Sequence, residues 1–202
     1  MFFQTPAWDM ALLEWINQGA RCAFLDYLMP VASSYLLWWA HGAGLAVVLA
    51  VRRGVRPVLF LVAALLLAVA LSDASTNLLK HATLRVRPLN AVAGTWFKED
   101  GVWQRRAQDF VQTKERGSSY PSAHAANAMA AIVILAWLLP RSRRLAWTIP
   151  LVIGYSRVYL GKHYPTDVLV GWLVGLAAAL LLWLAWRNMA RRWWPGAGSA
   201  VS

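Results

Sequence analysis

The chain has 202 residues, a length for one domain running from 1 to 202. Apolar residues make up 59% and charged residues 14%, which excludes an ordinary soluble domain, where about 25% are charged. The net charge is +11, but the basic residues cluster at the ends of apolar runs rather than along one helix. That argues against nucleic acid as a partner and leaves a membrane surface or an anionic ligand.

The elements are read in chain order. Thr5-Pro6 starts a helix, with proline at its first position. Trp8, Leu12, Trp15 and Ile16 follow at helical spacing, with Asp9 and Glu14 elsewhere on the wheel. Residues 5–29 therefore read as an amphipathic helix lying in the membrane interface, closed by Pro30. Cys22, the single cysteine, reads as a small buried apolar residue. The N-terminus lacks the positive start of a cleavable signal peptide, so insertion would rely on the spans themselves.

Apolar runs then predict five transmembrane helices: about 31–51, 57–79, 121–139, 145–155 and 168–186. The fourth, with about a dozen apolar residues before Arg157, is short for a span. A polar loop of about 81–120 is too mixed to cross. The fold class expected is all-α: a polytopic membrane helical bundle of about five spans plus the N-terminal interfacial helix. Arg52/Arg53/Arg56, Arg141/Arg143/Arg144 and Arg187/Arg191/Arg192 follow spans one, three and five. Five crossings put all three clusters on one side, the cytoplasmic one. The N-terminal helix, the 81–120 loop and the 157–166 loop then lie outside. Lys80, Arg85, Arg87, Lys98, Arg105, Arg106, Lys114, Arg116, Arg157 and Lys162 fall on that outer side, against the charge rule, and call for another explanation such as an anionic ligand, although Glu99, Asp100, Asp109 and Glu115 answer some of them locally. The thirteen tryptophans fit an interfacial aromatic belt. Gly171-x-x-x-Gly175 fits close helix packing within the chain.

Three stretches carry chemistry, and their catalytic motifs fall at 80–88, 119–124 and 156–167. Phosphoryl transfer needs a nucleophile, an acid for the leaving oxygen and cations for the remaining oxygens. In Ser156-Arg157-x5-His163-x3-Asp167, the carboxylate of Asp167 can take one imidazole N–H of His163. The other nitrogen is then free to attack. Arg157 holds a phosphate. In Ser119-Tyr-Pro-Ser-Ala-His124, His124 opens span three as the acid, Pro121 pre-sets the helix, and the N–H groups of Ser122 and Ala123 face an anion. In Lys80-x6-Arg87-Pro88, Pro88 pushes Arg87 into an extended conformation that folds back over the span end. Taken singly, each residue has an ordinary structural explanation: a snorkelling cation, a helix cap, an interfacial histidine. Asp73 and Asn77 lie two turns and one turn before Lys80, and an ionisable group inside a span calls for a role in the site or in a buried polar contact. His41 and His81 have no visible partner and read as incidental.

Taken together, the three motifs resemble the type 2 phosphatidic acid phosphatase family of membrane lipid phosphatases, whose site is related to that of vanadium haloperoxidases. The resemblance covers about residues 73–175. It implies a phosphohistidine on His163, with Asp167 orienting it and His124 as acid to the leaving group and then base to water. It also implies Lys80, Arg87 and Arg157 as phosphate ligands, with Ser122 and the Ala123 amide completing the cradle. Neither a metal nor another cofactor is implied, and no obligate protein partner is called for. One departure is that the family's Pro-Ser-Gly-His reads Pro-Ser-Ala-His here; alanine keeps the backbone N–H and accepts helical angles. The function implied is hydrolysis of a lipid phosphate or diphosphate at the periplasmic face of a bacterial-type inner membrane. A polyprenyl diphosphate is the first candidate substrate. Phosphatidylglycerol phosphate, phosphatidate and lipid A phosphates are alternatives, as is transfer to a lipid hydroxyl. A membrane scaffold with a dead site is the contrasting class.

Overall fold

A computed structural model of the chain describes residues 4–139 and 146–193, with side chains to residue 186. Arg141, Arg143, Arg144 and Trp194 lie outside the described residues, as do the side chains of Arg187, Arg191, Arg192 and Trp193. The helices are α1 (Ala7–Glu14), α2 (Ala23–Ala32), α3 (Tyr35–Arg53), α4 (Val55–Thr83), α5 (Ala123–Leu138), α6 (Thr148–Tyr159) and α7 (Pro165–Trp193). A two-stranded antiparallel hairpin, β1 (Trp96–Glu99) and β2 (Val102–Arg105), lies between α4 and α5. The protein is an all-α polytopic membrane bundle, and among the described residues α3, α4 and α7 are long and apolar enough to cross a bilayer. The count of five crossings rests on α5 and α6, whose 16 and 12 residues are shorter than a full span.

The core forms where α4, α5 and α7 meet. Leu61, Ala64 and Ala68 of α4 pack on Ala130, Val133 and Ile134 of α5 and on Ala179 of α7. Small residues let these backbones approach, because lipid supplies no hydrophobic drive and van der Waals contact must hold the helices. Gly171 and Gly175 make the point. A Cβ on Gly175 would stand 2.0 Å from the carbonyl oxygen of Ala126, and one on Gly171 would stand 2.6 Å from that of Ser122. The Gly-x-x-x-Gly stripe thus seats α7 on α5 within the chain. By contrast α3 is exposed along nearly its whole length, with only Leu49 buried, as suits a helix surrounded by lipid.

The N-terminal region departs from the expectation of one helix over 5–29. A π-helical turn at Trp15–Gly19 separates α1 from α2, and Pro30 lies inside α2 rather than closing it. The apolar Trp8, Leu12 and Trp15 are exposed, while Asp9 and Leu13 are buried. The acidic residue therefore faces protein and the aromatic stripe faces outward, toward lipid. Cys22, expected to be buried, is exposed at the start of α2. His41 sits on α3 with its Nδ1 2.7 Å from the Leu37 carbonyl, a bond within the helix, and His81 is exposed.

The loop between α4 and α5 is not structureless. Asp100 and Gly101 both have positive φ, 49° and 81°, the pattern of a two-residue hairpin turn that Asp-Gly favours. Asn17 clamps this hairpin to the end of α6. Its amide donates to the carbonyls of Trp96 (2.8 Å) and Tyr159 (2.7 Å), and its oxygen accepts from the Trp96 N–H.

Candidate active site

Four helix ends converge at one end of the bundle: the C-termini of α4 and α6 and the N-termini of α5 and α7. The start of α3 joins them. Between them lies a cavity of about 600 Å³, lined among others by Tyr35, Asp73, Lys80, Arg87, Ala123, His124, Arg157 and His163. The three motifs, separated in sequence, are thus brought to one place.

Local chain rules explain how Arg157 and His163 come to face the same space. Arg157 lies in the last turn of α6, not in the loop after it. Gly161 follows with φ of 65°. The Gly161 N–H bonds the Val158 carbonyl at 2.9 Å, and the Lys162 N–H bonds the Arg157 carbonyl at 3.0 Å. This is a Schellman turn with glycine at its left-handed position. A side chain there would also meet the Trp96 carbonyl at 2.6 Å. The turn reverses the chain over one helix end, so His163 returns beside Arg157. Pro165 then opens α7, and the Asp167 side chain reaches back to the Tyr164 N–H at 2.9 Å, a capping-box arrangement.

His163 is buried, 3% exposed. Its Nδ1 lies 2.8 Å from the carbonyl oxygen of Ser119 and 3.5 Å from Asp167 Oδ2. A carbonyl can only accept, so Nδ1 carries the proton and Nε2 keeps its lone pair. The nearer acceptor is the Ser119 carbonyl, not the expected aspartate. Asp167 is held by other donors: Arg85 Nη1 at 2.6 Å, the Tyr164 N–H, and the hydroxyl of Ser119. It fixes the residue whose carbonyl fixes His163. Burial, reinforced by the nearby Arg157, lowers the His163 pKa to about 4 although Asp167 pulls the other way. The imidazole is neutral at neutral pH.

His124, second residue of α5, bonds the hydroxyl of Tyr35 through Nδ1 at 2.9 Å, with ring centroids 4.0 Å apart. That leaves Nε2 as the nitrogen able to exchange a proton with a ligand. Arg157 is 5% exposed; its Nη1 donates to Ser33 Oγ, and its Nε has no partner among the described residues. The Nε of Arg87 is likewise buried and unpartnered. Arg87 is extended, φ −70° and ψ 149°, as the following proline requires. A buried guanidinium facing no carboxylate is costly unless an anion arrives.

Ala123 lines the cavity and begins α5 with helical backbone, so this position makes no demand for glycine. The expectation for Ser122 needs correction. Its N–H is taken by the Asp167 carbonyl at 2.9 Å, its Oγ caps α5 by accepting from Ala125 N–H, and it does not line the cavity. The helix therefore starts at Ala123, two residues after Pro121. Asp73 lines the cavity and accepts from Asn77 (3.2 Å) and Asn127 (3.4 Å). Among the described residues no three His, Cys, Asp or Glu side chains converge as metal ligands would.

Sequence reasoning missed Tyr35, Ser33 and the Ser119 carbonyl, which carry no motif of their own. It also missed a buried knot behind the site. Arg85, 4% exposed, reaches Asp167 with one nitrogen and Asp9 of α1 (2.7 Å) with another. Asp9 in turn accepts from the N–H of Thr166 at 2.8 Å and from its hydroxyl. An aspartate beside the apolar stripe of α1 was the available signal.

Comparisons with known proteins bear on the family and the fold. The family model of the PAP2 superfamily matches residues 61–191, and the chain belongs to that superfamily: it is an integral-membrane hydrolase of phosphate esters, of the lipid phosphatase kind. It is 30% identical over 173 residues to an undecaprenyl-diphosphatase of Sulfolobus acidocaldarius, covering 85% of this chain and 75% of the relative. It is 30% identical over 174 residues to a lipid A 4'-phosphatase of Bacteroides thetaiotaomicron, covering 83% and 72%. Among solved structures, LpxE of Aquifex aeolicus superposes with a TM-score of 0.65 at 24% identity, over 90% of this chain and 98% of that one. A PAP2-type phosphatidylglycerolphosphate phosphatase of Bacillus subtilis gives 0.59 at 23%, over 93% and 88%.

Proposed function

We propose that the chain dephosphorylates a lipid phosphate or diphosphate at the extracytoplasmic face of the membrane through a phosphohistidine on His163, with a polyprenyl diphosphate as first candidate substrate. The observation that carries this reading is the state of His163: Nδ1–H bonded to the Ser119 carbonyl and Nε2 unprotonated, in a cavity lined by cations.

In the first step Nε2 attacks phosphorus while Lys80, Arg87, Arg157 and the Ala123 amide hold the non-reacting oxygens. The bond from phosphorus to the leaving oxygen (the ester oxygen of a monophosphate or the bridging oxygen of a diphosphate) breaks, and that oxygen takes a proton from His124. In the second step water attacks the phosphohistidine, His124 takes the water's proton, and the P–N bond breaks to release inorganic phosphate. Asp167 acts by holding Ser119 and the start of α7 in place. The outer placement is supported by Arg52 and Arg53, which end α3 at the far end of the bundle from Tyr35.

Trapping tests the covalent step. With ³²P-labelled substrate and an alkaline quench, the label accumulates on protein in His124→Ala and is absent in His163→Ala. An aryl phosphate, whose leaving oxygen needs little protonation, rescues the first step in His124→Ala only. General acid–base loss costs about 10²–10⁴-fold. Label on His163→Ala would assign the nucleophile elsewhere.

A further inference from the structure

The cavity holds more positive charge than one phosphate requires. Besides Lys80, Arg87 and Arg157, its lining includes Lys98 of β1 and Lys162 of the Schellman turn, against Asp73 as the acid in that lining. Lys98 lies outside the three motifs and Lys162 at an unspecified position within the third, and neither makes an ion pair with a carboxylate among the described residues. Lys162 is half-buried, and burial, with Arg157 and Arg87 close by, holds its ammonium below the usual lysine range. Lys162 shares this cavity lining with His124, the proposed acid to the leaving group. Gly161, next to Lys162, packs against β1, where an added Cβ would stand 2.6 Å from the Trp96 carbonyl, so the hairpin and the turn share one rim. The Asn17 clamp described above holds that hairpin in place.

We infer that Lys98 and Lys162 form a second anion subsite, one that binds the lipid-linked phosphate of a diphosphate while His163 attacks the terminal phosphorus. This rests on the hydrolase reading above and specifies its substrate class. As the P–N bond forms, the bond from the terminal phosphorus to the bridging oxygen breaks and its electron pair passes to that oxygen. The leaving group is then a lipid monophosphate, an anion, and its growing charge lies where the two ammonium groups stand. A monophosphate ester leaves as a neutral alcohol and gives the subsite nothing to hold.

The test compares a short-chain prenyl diphosphate with the matching prenyl monophosphate on detergent-purified wild type, Lys98→Met and Lys162→Met. The ratio of kcat/KM, diphosphate over monophosphate, falls by about 10–100-fold in the variants, the effect of losing a charge-assisted hydrogen bond. Equal losses on both substrates, or no loss on either, would overturn the subsite. A second measurement needs no turnover. Pyrophosphate binds wild type more tightly than orthophosphate by titration, and the gap closes in the double variant. Failure of wild type to hydrolyse any lipid phosphate would sink the hydrolase reading while leaving this measurement to decide the subsite. A pyrophosphate preference that survives in the double variant overturns it.

Discussion

Arg85 and Arg157 are both buried guanidinium groups, 4% and 5% exposed, and their surroundings are opposite. Arg85 sits between two fully buried carboxylates, Asp9 and Asp167, with Thr5 and Thr166 adding oxygens and the Tyr164 ring stacked 3.7 Å from its Cζ. Arg157 has one serine hydroxyl, an unpartnered Nε and the open cavity. Burial alone does not distinguish a structural cation from one that receives a ligand; the count of carboxylates around it does. Where the protein supplies the anions, the charge holds elements together. Where it withholds them, the buried charge is left facing a cavity that an anion can fill.

Substitutions that exchange these fates test the contrast, and the largest effect falls on Arg85. Arg85→Met leaves two buried carboxylates without their cation, so stability drops by about 3–5 kcal/mol, read as a lower Tm in detergent. Unfolding like wild type would mean the knot contributes nothing. Arg157→Ala does the reverse. It costs about 10²–10³-fold in kcat/KM, or about 2.7–4 kcal/mol, with Tm held or raised because an unpaired charge is gone. A Tm loss matching that of Arg85→Met would erase the distinction.

A third effect is on pH. In the proposed mechanism His163 must be neutral to attack, and burial lowers its folded pKa to about 4. Below that value kcat/KM falls about tenfold per unit, about 1.36 kcal/mol each, and in the free enzyme the limb reports this group. Since Arg157 helps lower the pKa, Arg157→Ala moves the acid limb to higher pH; an unmoved limb would mean that Arg157 does not act on this imidazole. The same shift enters stability. The unfolded chain takes up the proton first, so this contribution is lost as pH falls from about 6.5 toward about 4. The smallest effect is that of Ser119→Ala, which removes one hydroxyl donor to Asp167 and keeps the backbone carbonyl that holds His163. It costs about 1 kcal/mol in stability, with kcat reduced less than in Arg157→Ala.

Much of this was legible from residue order. The long apolar runs of α3, α4 and α7 are membrane signals that no other fold explains. Pro88 sets Arg87 extended by local sterics, and the three motifs do meet in one cavity. What the sequence hid depends on neighbours distant in the chain. Tyr35 reads as one more aromatic at a span start, yet it holds His124. Ser122 reads as an anion-binding amide, yet its N–H is claimed by the Asp167 carbonyl. Asp9 reads as the polar side of an interfacial helix, yet that side faces inward because Arg85 and Thr166 wait there. The hairpin was written in Asp100-Gly101, a local signal overlooked within a polar stretch.

The bond from the Thr166 N–H to Asp9 spans 157 residues, and it sets an order of assembly. When α1 leaves the ribosome, its buried aspartate has no partner, and Arg85 arrives with only that one carboxylate to meet. The charges balance once Thr166 and Asp167 have been made and α7 has docked on α5. A growing chain therefore carries Arg87 long before it carries Arg157 and His163, which are made almost together. The first helix is in this sense a clasp, one that can close only when nearly the whole chain has been made.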